Sequence, residues 1–271
     1  MAKKEKEMSF LAHLEELRWH LVRSAIAILI VAVTVFVFME FIFDNFILAH
    51  LNGDFVTYRA FCRAFSFIGV ETDFCTVTFP DELQSIKMTS QLMNAIWTAL
   101  VLGFIVSFPY ILWEFWRFIA PGLHPKEIKK SRGFLIVSSF LFFVGSLFSF
   151  FVIIPISTYF FFNFQVSSAV TNNFTLGSYI SLFTNTMLGV SIMFELPVII
   201  FFLSKIGLVT PMFLKKYRKH ALILVLVLSA IITPPDIASQ IIVSIPILLL
   251  YEISIMISKR IYKKQQKNAI S

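Results

Sequence analysis

Six long apolar runs, each closed by polar or basic residues, set the plan of this chain: His20–Phe43, Lys87–Trp113, Gly133–Pro155, Ser181–Lys205, Lys219–Thr233 and Ile237–Ile257. Crossing about 30 Å of hydrocarbon at about 1.5 Å per residue takes roughly 20 helical residues. The pattern therefore predicts an all-α, polytopic integral membrane protein: one domain over residues 1–271, with six spans at 20–43, 87–113, 133–155, 181–205, 219–233 and 237–257. A segment at 1–19, an outer loop at 44–86 and a tail at 258–271 complete it. Between the second and third spans the stretch Phe108–Glu127 carries Trp113, Trp116, a Pro121-Gly122 pair and a basic cluster. Indole rings gather at the lipid–water boundary and Lys or Arg beyond them marks the cytoplasm, so this stretch reads as an interfacial, cytoplasm-facing hinge.

The first segment has its own period. Phe10, Leu14, Leu17 and Leu21 recur at helical spacing while His13, Glu16 and His20 form another stripe, which predicts an amphipathic helix along the membrane surface with Ser9 as N-cap. The fifth run is unusual for its length. Ala221–Ile232 makes only about 18 Å of helix, too short for an undisturbed bilayer. Either the Thr233-Pro234-Pro235-Asp236 turn lies below the outer surface or lipid thins around it; a third reading has Lys216 and Lys219 simply snorkelling. Adjacent Pro234 and Pro235 force a sharp structural turn, and Asp236 and Gln240 are placed to cap the last span.

Composition agrees with the pattern. A chain that is 58% hydrophobic, 14% charged and holds 33 Phe is not an ordinary soluble domain. Of its 23 Lys and Arg only Arg59, Arg63 and Lys87 lie on the outer side of these spans, which places both termini in the cytoplasm. The net charge of +7 is thereby explained by orientation, without a nucleic-acid surface. The first run is too long for a signal-peptide core and no small-residue cleavage site follows it, so span one is expected to direct insertion.

Candidate chemistry is sparse. The acidic outer loop holds Cys62 and Cys75; on an oxidising side they are expected to form a disulfide, closing about 14 residues and stabilising the loop by roughly 3 kcal/mol, the alternative being two buried thiols. Neither cysteine has partners at zinc-site spacing. The segment Ile156–Ile180 has no Lys, Arg, Asp or Glu and is expected to lie at the interface or extend span three. Its Asn173-Phe174-Thr175 has the form of a glycosylation acceptor, which is discounted. The five histidines, His13, His20, His50, His124 and His220, form no ligand cluster and read as polar boundary residues. No metal, no cofactor and no phosphate loop is implied. Charges within spans are expensive and mark function: Glu195 lies near the middle of span four, and Pro197 leaves the carbonyl of Met193 without its helical donor. Together they offer a polar spot to a partner helix or a transported ion; the plainer reading is a protonated acid bonded within the chain. Glu252, about 10 Å of helix from Lys259, reads as structural.

Four motifs occur in order along the chain: His13-Leu14-Glu15-Glu16-Leu17-Arg18, Phe118-Ile119-Ala120-Pro121-Gly122-Leu123 with Glu127, Phe194-Glu195-Leu196-Pro197 and Thr233-Pro234-Pro235-Asp236. Together they resemble the TatC family, the multispanning subunit of the twin-arginine protein translocase. The resemblance implies a concave helical scaffold in the bacterial inner membrane. It implies a receptor for paired-arginine signal peptides of folded cargo, assembled in an oligomeric complex with TatA- and TatB-like single-span subunits and driven by the proton gradient. It assigns Glu16 and Glu127 to the two arginines, Arg18 and Phe118 to the same site, and Glu195 to the partner helices. A carboxylate grips a planar guanidinium with two parallel bonds, so the chemistry suits the role. The 44–86 loop is longer than the family pattern. Two other classes fit less well: an ion-coupled secondary transporter using Glu195, against which spans one to three do not resemble four to six, and an intramembrane enzyme, for which no HExxH, GxSxG or paired membrane-embedded aspartates exist.

Overall fold

The computed structural model describes residues 10–67, 69, 75–79, 83–119, 125–167, 169, 172–232 and 237–270. Among these the chain is helical, with α1 Phe10–Val37, α2 Met39–Ile42, α3 Val56–Phe67, α4 Ser90–Ile119, α5 Pro125–Phe148, α6 Ile154–Asn163, α7 Leu176–Met193, α8 Leu196–Lys205, α9 Pro211–Lys216, α10 Arg218–Ile232 and α11 Ile237–Ile270. An isolated bridge between Gln84 and Thr175 ties the two outer loops. Five described helical segments are long and apolar enough to cross a membrane: His13–Val37, Ser90–Ile119, Leu135–Asn163, Leu176–Lys205 and Gln240–Lys263. The run expected as span five is α10, whose 15 residues make about 22 Å.

Two boundaries differ from the expected ones. The amphipathic segment is not a separate surface helix: from Phe10 it continues directly into α1, because no proline or glycine interrupts the sequence to Val37 and nothing else breaks the backbone ladder. Likewise α4 runs through Pro109 to Ile119. The proline deletes one backbone donor, which neighbouring packing tolerates in a membrane helix, so the hinge begins six residues later than the apolar run suggests.

Packing is organised by a few close approaches. α1 lies along α4, and Gly103 permits this: a Cβ there would meet the Ile28 carbonyl oxygen at 2.9 Å and Ala32 Cβ at 3.0 Å. α4 meets α5 through Val101, Ile105 and Phe142, with the Phe108 and Phe142 rings stacked 3.6 Å apart. Ile153, Val190, Phe194, Val225, Val243 and Ile247 form the core that joins α5, α7, α10 and α11.

The third span is lengthened, as one reading of Ile156–Ile180 expected, by a wide π-turn over Ser149–Ile153 leading into α6. Pro155 supplies no N–H, so the carbonyl of Phe151 loses its helical donor. The outer loop replaces it: Thr57 Oγ1 donates to Phe151 O, and His50 Nε2 lies 2.9 Å from Phe150 O. Tyr58 OH donates to the carbonyls of His50 and Pro155, 3.0 Å each, and Tyr179 OH to Ile47 O at 2.5 Å. Cys62, on α3, is joined to Cys75. His50 is therefore an anchor of the outer cap rather than a boundary residue.

The cap should be acid-labile. Burial pushes the His50 imidazole down to about 4 from 6.5, prevailing over the two carbonyls, of Ile47 and Phe150, that favour its cation. A group whose folded pKa is depressed contributes stability that is fully present above its unfolded value and lost as pH falls. Lowering the pH from 6.5 to 4 is expected to remove about 3 kcal/mol, read as a falling melting temperature that His50→Gln flattens. A wild-type profile that stays level over this interval would contradict the assignment.

Candidate functional site

His13, Glu16, His20 and Arg23 recur at spacings of three and four residues along α1, so they form one stripe, and this stripe meets the cytoplasmic end of α4. Glu114 of α4 is only 1% exposed. Its Oε2 lies 2.5 Å from His20 Nδ1 and 3.3 Å from Arg23 Nη1, and its Oε1 accepts from Arg117 Nη1 at 3.2 Å. Tyr110, one turn earlier, hydrogen-bonds the same carboxylate. A buried carboxylate is tolerated only with such pairing. One turn further along α4, Phe118 stacks on His13 with centroids 4.4 Å apart and planes 20° from parallel, and His20 meets the same ring edge-on. The Arg117 guanidinium also lies 5.1 Å over the Trp113 ring.

Glu16 falls on the stripe between His13 and His20. It is half-buried, and its Oε2 is enclosed with no hydrogen-bond partner among the described residues. The structure thus brings together two of the sequence candidates, Glu16 and Phe118. Arg18 is exposed, off this stripe. Glu127 belongs to the first turn of α5, where a helix N-terminus favours negative charge; its side chain lies outside the described residues, as do Ser9, His124, Pro234, Pro235 and Asp236. Sequence reading passed over Glu114 and took His20 for a boundary residue. The available signal was a lone acid inside Ile111-Leu112-Trp113-Glu114-Phe115-Trp116, a charge in an aromatic run.

A second polar place lies deeper. Glu195 occupies the turn between α7 and α8, where the ladder is interrupted ahead of Pro197. It is 8% exposed; Oε2 accepts from Ser138 Oγ of α5 at 2.5 Å, and Oε1 has no partner among the described residues. Beside it Pro197, Val198, Gly133, Val137, Leu250 and Ile253 line an apolar cavity of about 410 Å³. Glu252 reaches α10, pairing with Arg218 at 2.6 Å, and Gln240 bonds the Leu226 carbonyl at 3.0 Å instead of capping its own helix. No group of three His, Cys, Asp or Glu among the described residues is placed to hold a metal ion.

Known proteins share this architecture. Residues 12–246 match the family model described as Sec-independent protein translocase protein (TatC). A TatC of Blattabacterium sp. subsp. Periplaneta americana (strain BPLAN) is 41% identical over 98% of this chain and 100% of its own length. TatCy of Bacillus subtilis (strain 168) is 33% identical over 98% of this chain and 94% of its own length. The chain belongs to the TatC family. A crystal structure titled as the twin-arginine translocase receptor TatC superposes with a TM-score of 0.69 at 31% identity, covering 92% of this chain and 99% of the other. A second, obtained in DDM, gives 0.71 at 32% identity over 91% and 99%. As a TatC, the chain is a multi-pass membrane component of a protein translocase that works in a complex with other Tat subunits, and it is not an enzyme. The ion-coupled transporter reading finds no support among these relatives.

Proposed function

We propose that this chain is the receptor and core scaffold of a twin-arginine translocase in the bacterial cytoplasmic membrane, spanning it six times with α10 as the short fifth span. Its cytoplasmic face takes the paired arginines of a signal peptide on Glu16 and Glu127. Phe118 walls the site and Arg18 borders it. The observation that carries this reading is the carboxylate of Glu16: one oxygen enclosed without a partner among the described residues, on a helix fixed to α4 from both sides by His13 on Phe118 and His20 on Glu114. An acceptor so held, at an end of the molecule rich in basic residues, suits an incoming guanidinium fork.

Glu195 with Pro197 is the contact for TatA- and TatB-like single-span helices. One of its oxygens has no partner among the described residues, an acceptor that an interhelical donor could satisfy, and the proton gradient drives the cycle that such contacts organise. Expressed in a bacterium deprived of its own TatC, the chain together with its own single-span partners is expected to restore export of a folded twin-arginine cargo. Glu195→Ala is expected to retain peptide binding but lose export and stable partner assembly, read by co-purification. Full export by that variant would overturn the partner assignment, and solute-dependent current from liposomes holding the chain alone would favour transport instead.

A further inference from the structure

The cytoplasmic site carries its own guanidinium forks. Arg23 lies on the same stripe of α1 as Glu16, two turns on, and Arg117 adjoins Phe118 on α4. Both side chains are about half exposed at 42% and 47%, so neither is locked by packing. A receptor for arginine built with two arginines beside its acid faces competition from itself, because a tethered guanidinium acts at far higher effective concentration than a free peptide. Both are occupied here. Arg23 and Arg117 are bonded to opposite oxygens of Glu114, while Glu16, half-buried one turn from His20, keeps an oxygen without a partner among the described residues.

We propose that Glu114 is a positioning residue that keeps the receptor acid open: by tying down Arg23 and Arg117 it prevents them from pairing with Glu16 and so leaves that carboxylate to the signal peptide. Two features of the cluster bear on this, beside the Arg23 bond, which also joins α1 to α4. Glu114 is on α4 with Arg117, so that bond joins neighbours on one helix and adds nothing to the joining of helices. His20 alone already links α1 to Glu114 at 2.5 Å. The inference rests on the proposed role of Glu16.

The test is a rescue. Glu114→Gln keeps the shape and a hydrogen bond to His20 but releases both arginines, and it is expected to weaken binding of a paired-arginine peptide to the purified full chain by roughly tenfold. Adding Arg23→Gln and Arg117→Gln to that variant is expected to restore affinity to within about threefold of wild type, since no competing fork remains. A structural role predicts the opposite, because the triple variant has lost still more bonds. Binding by Glu114→Gln equal to wild type, or failure of the triple variant to recover, overturns the inference. Should Glu114→Gln fail to fold, the Arg23→Gln/Arg117→Gln pair with Glu114 retained decides: unchanged or tighter binding supports it, and a tenfold loss overturns it by making those arginines part of recognition. Wild-type protein that does not tell Arg-Arg from Lys-Lys peptides defeats the reading of Glu16 instead, and is scored separately.

Discussion

Replacing Glu16 and Glu127 together by alanine is expected to lower affinity for a paired-arginine peptide by roughly 100-fold or more, since each charge-assisted bidentate pair contributes about 1.5–3 kcal/mol. Glu16→Ala alone should melt no lower than wild type, whereas Glu127 sits in the first turn of α5, where its charge is favourable. Among the described residues one Glu16 oxygen is enclosed without a partner, and removing such an acceptor is expected to relieve a cost. Stability and binding thus move apart, which is the mark of a site kept for a ligand. Fluorescence anisotropy and thermal melting on one preparation check both. Unchanged affinity contradicts the assignment, and a loss accompanied by a melting point several degrees lower would point to damage of α1 instead.

The second large effect is expected far from the site. Gly103→Leu forces a Cβ to within 2.9 Å of the Ile28 carbonyl oxygen and 3.0 Å of the Ala32 backbone nitrogen. Backbone atoms of a straight helix do not move aside as a flexible side chain does, so α1 must separate from α4. Overpacking of this kind costs about 1–3 kcal/mol. Because α1 also carries His13, Glu16 and His20, the separation should pull His20 from Glu114 and weaken peptide binding along with stability. Gly133→Ala is the control: nothing lies within 4 Å of its added Cβ, and alanine is the better helix former there. A Gly103→Leu protein that melts and binds as wild type would show that α1 is not held at this crossing.

How much of this was legible in the sequence follows from which interactions are local. The apolar runs, their helical character and the acid Glu195 within one of them are carried by composition and periodicity, so they could be read without coordinates. Pro197 announced a freed Met193 carbonyl, but the run was read as one span, and the turn at Phe194–Glu195 that parts α7 from α8 was not foreseen. By contrast, His20 and Glu114 are 94 residues apart, and neither motif nor period links them; each alone resembled a polar residue at a membrane boundary. The same holds for His50, whose partner Phe150 is 100 residues away. Its role depends on a carbonyl freed near Pro155, a consequence of backbone geometry that the sequence only hints at. The expected surface helix failed differently. Its amphipathic stripe is real, but the polar face meets α4 and continues the span, because the stripe's polar residues had buried partners that a single helix does not reveal.

The measurement that tests the central claim most directly is binding of a fluorescent signal peptide to the purified protein, Arg-Arg against Lys-Lys at the pair. Both peptides carry the same charge, but only guanidinium offers the planar fork that a carboxylate grips with two parallel bonds. The account predicts that Lys-Lys binds at least tenfold more weakly, and that the difference disappears in the Glu16→Ala/Glu127→Ala protein. Equal binding of the two peptides by wild type would mean that an acidic surface merely attracts a basic segment, and the receptor site proposed at Glu16 and Glu127 would be wrong.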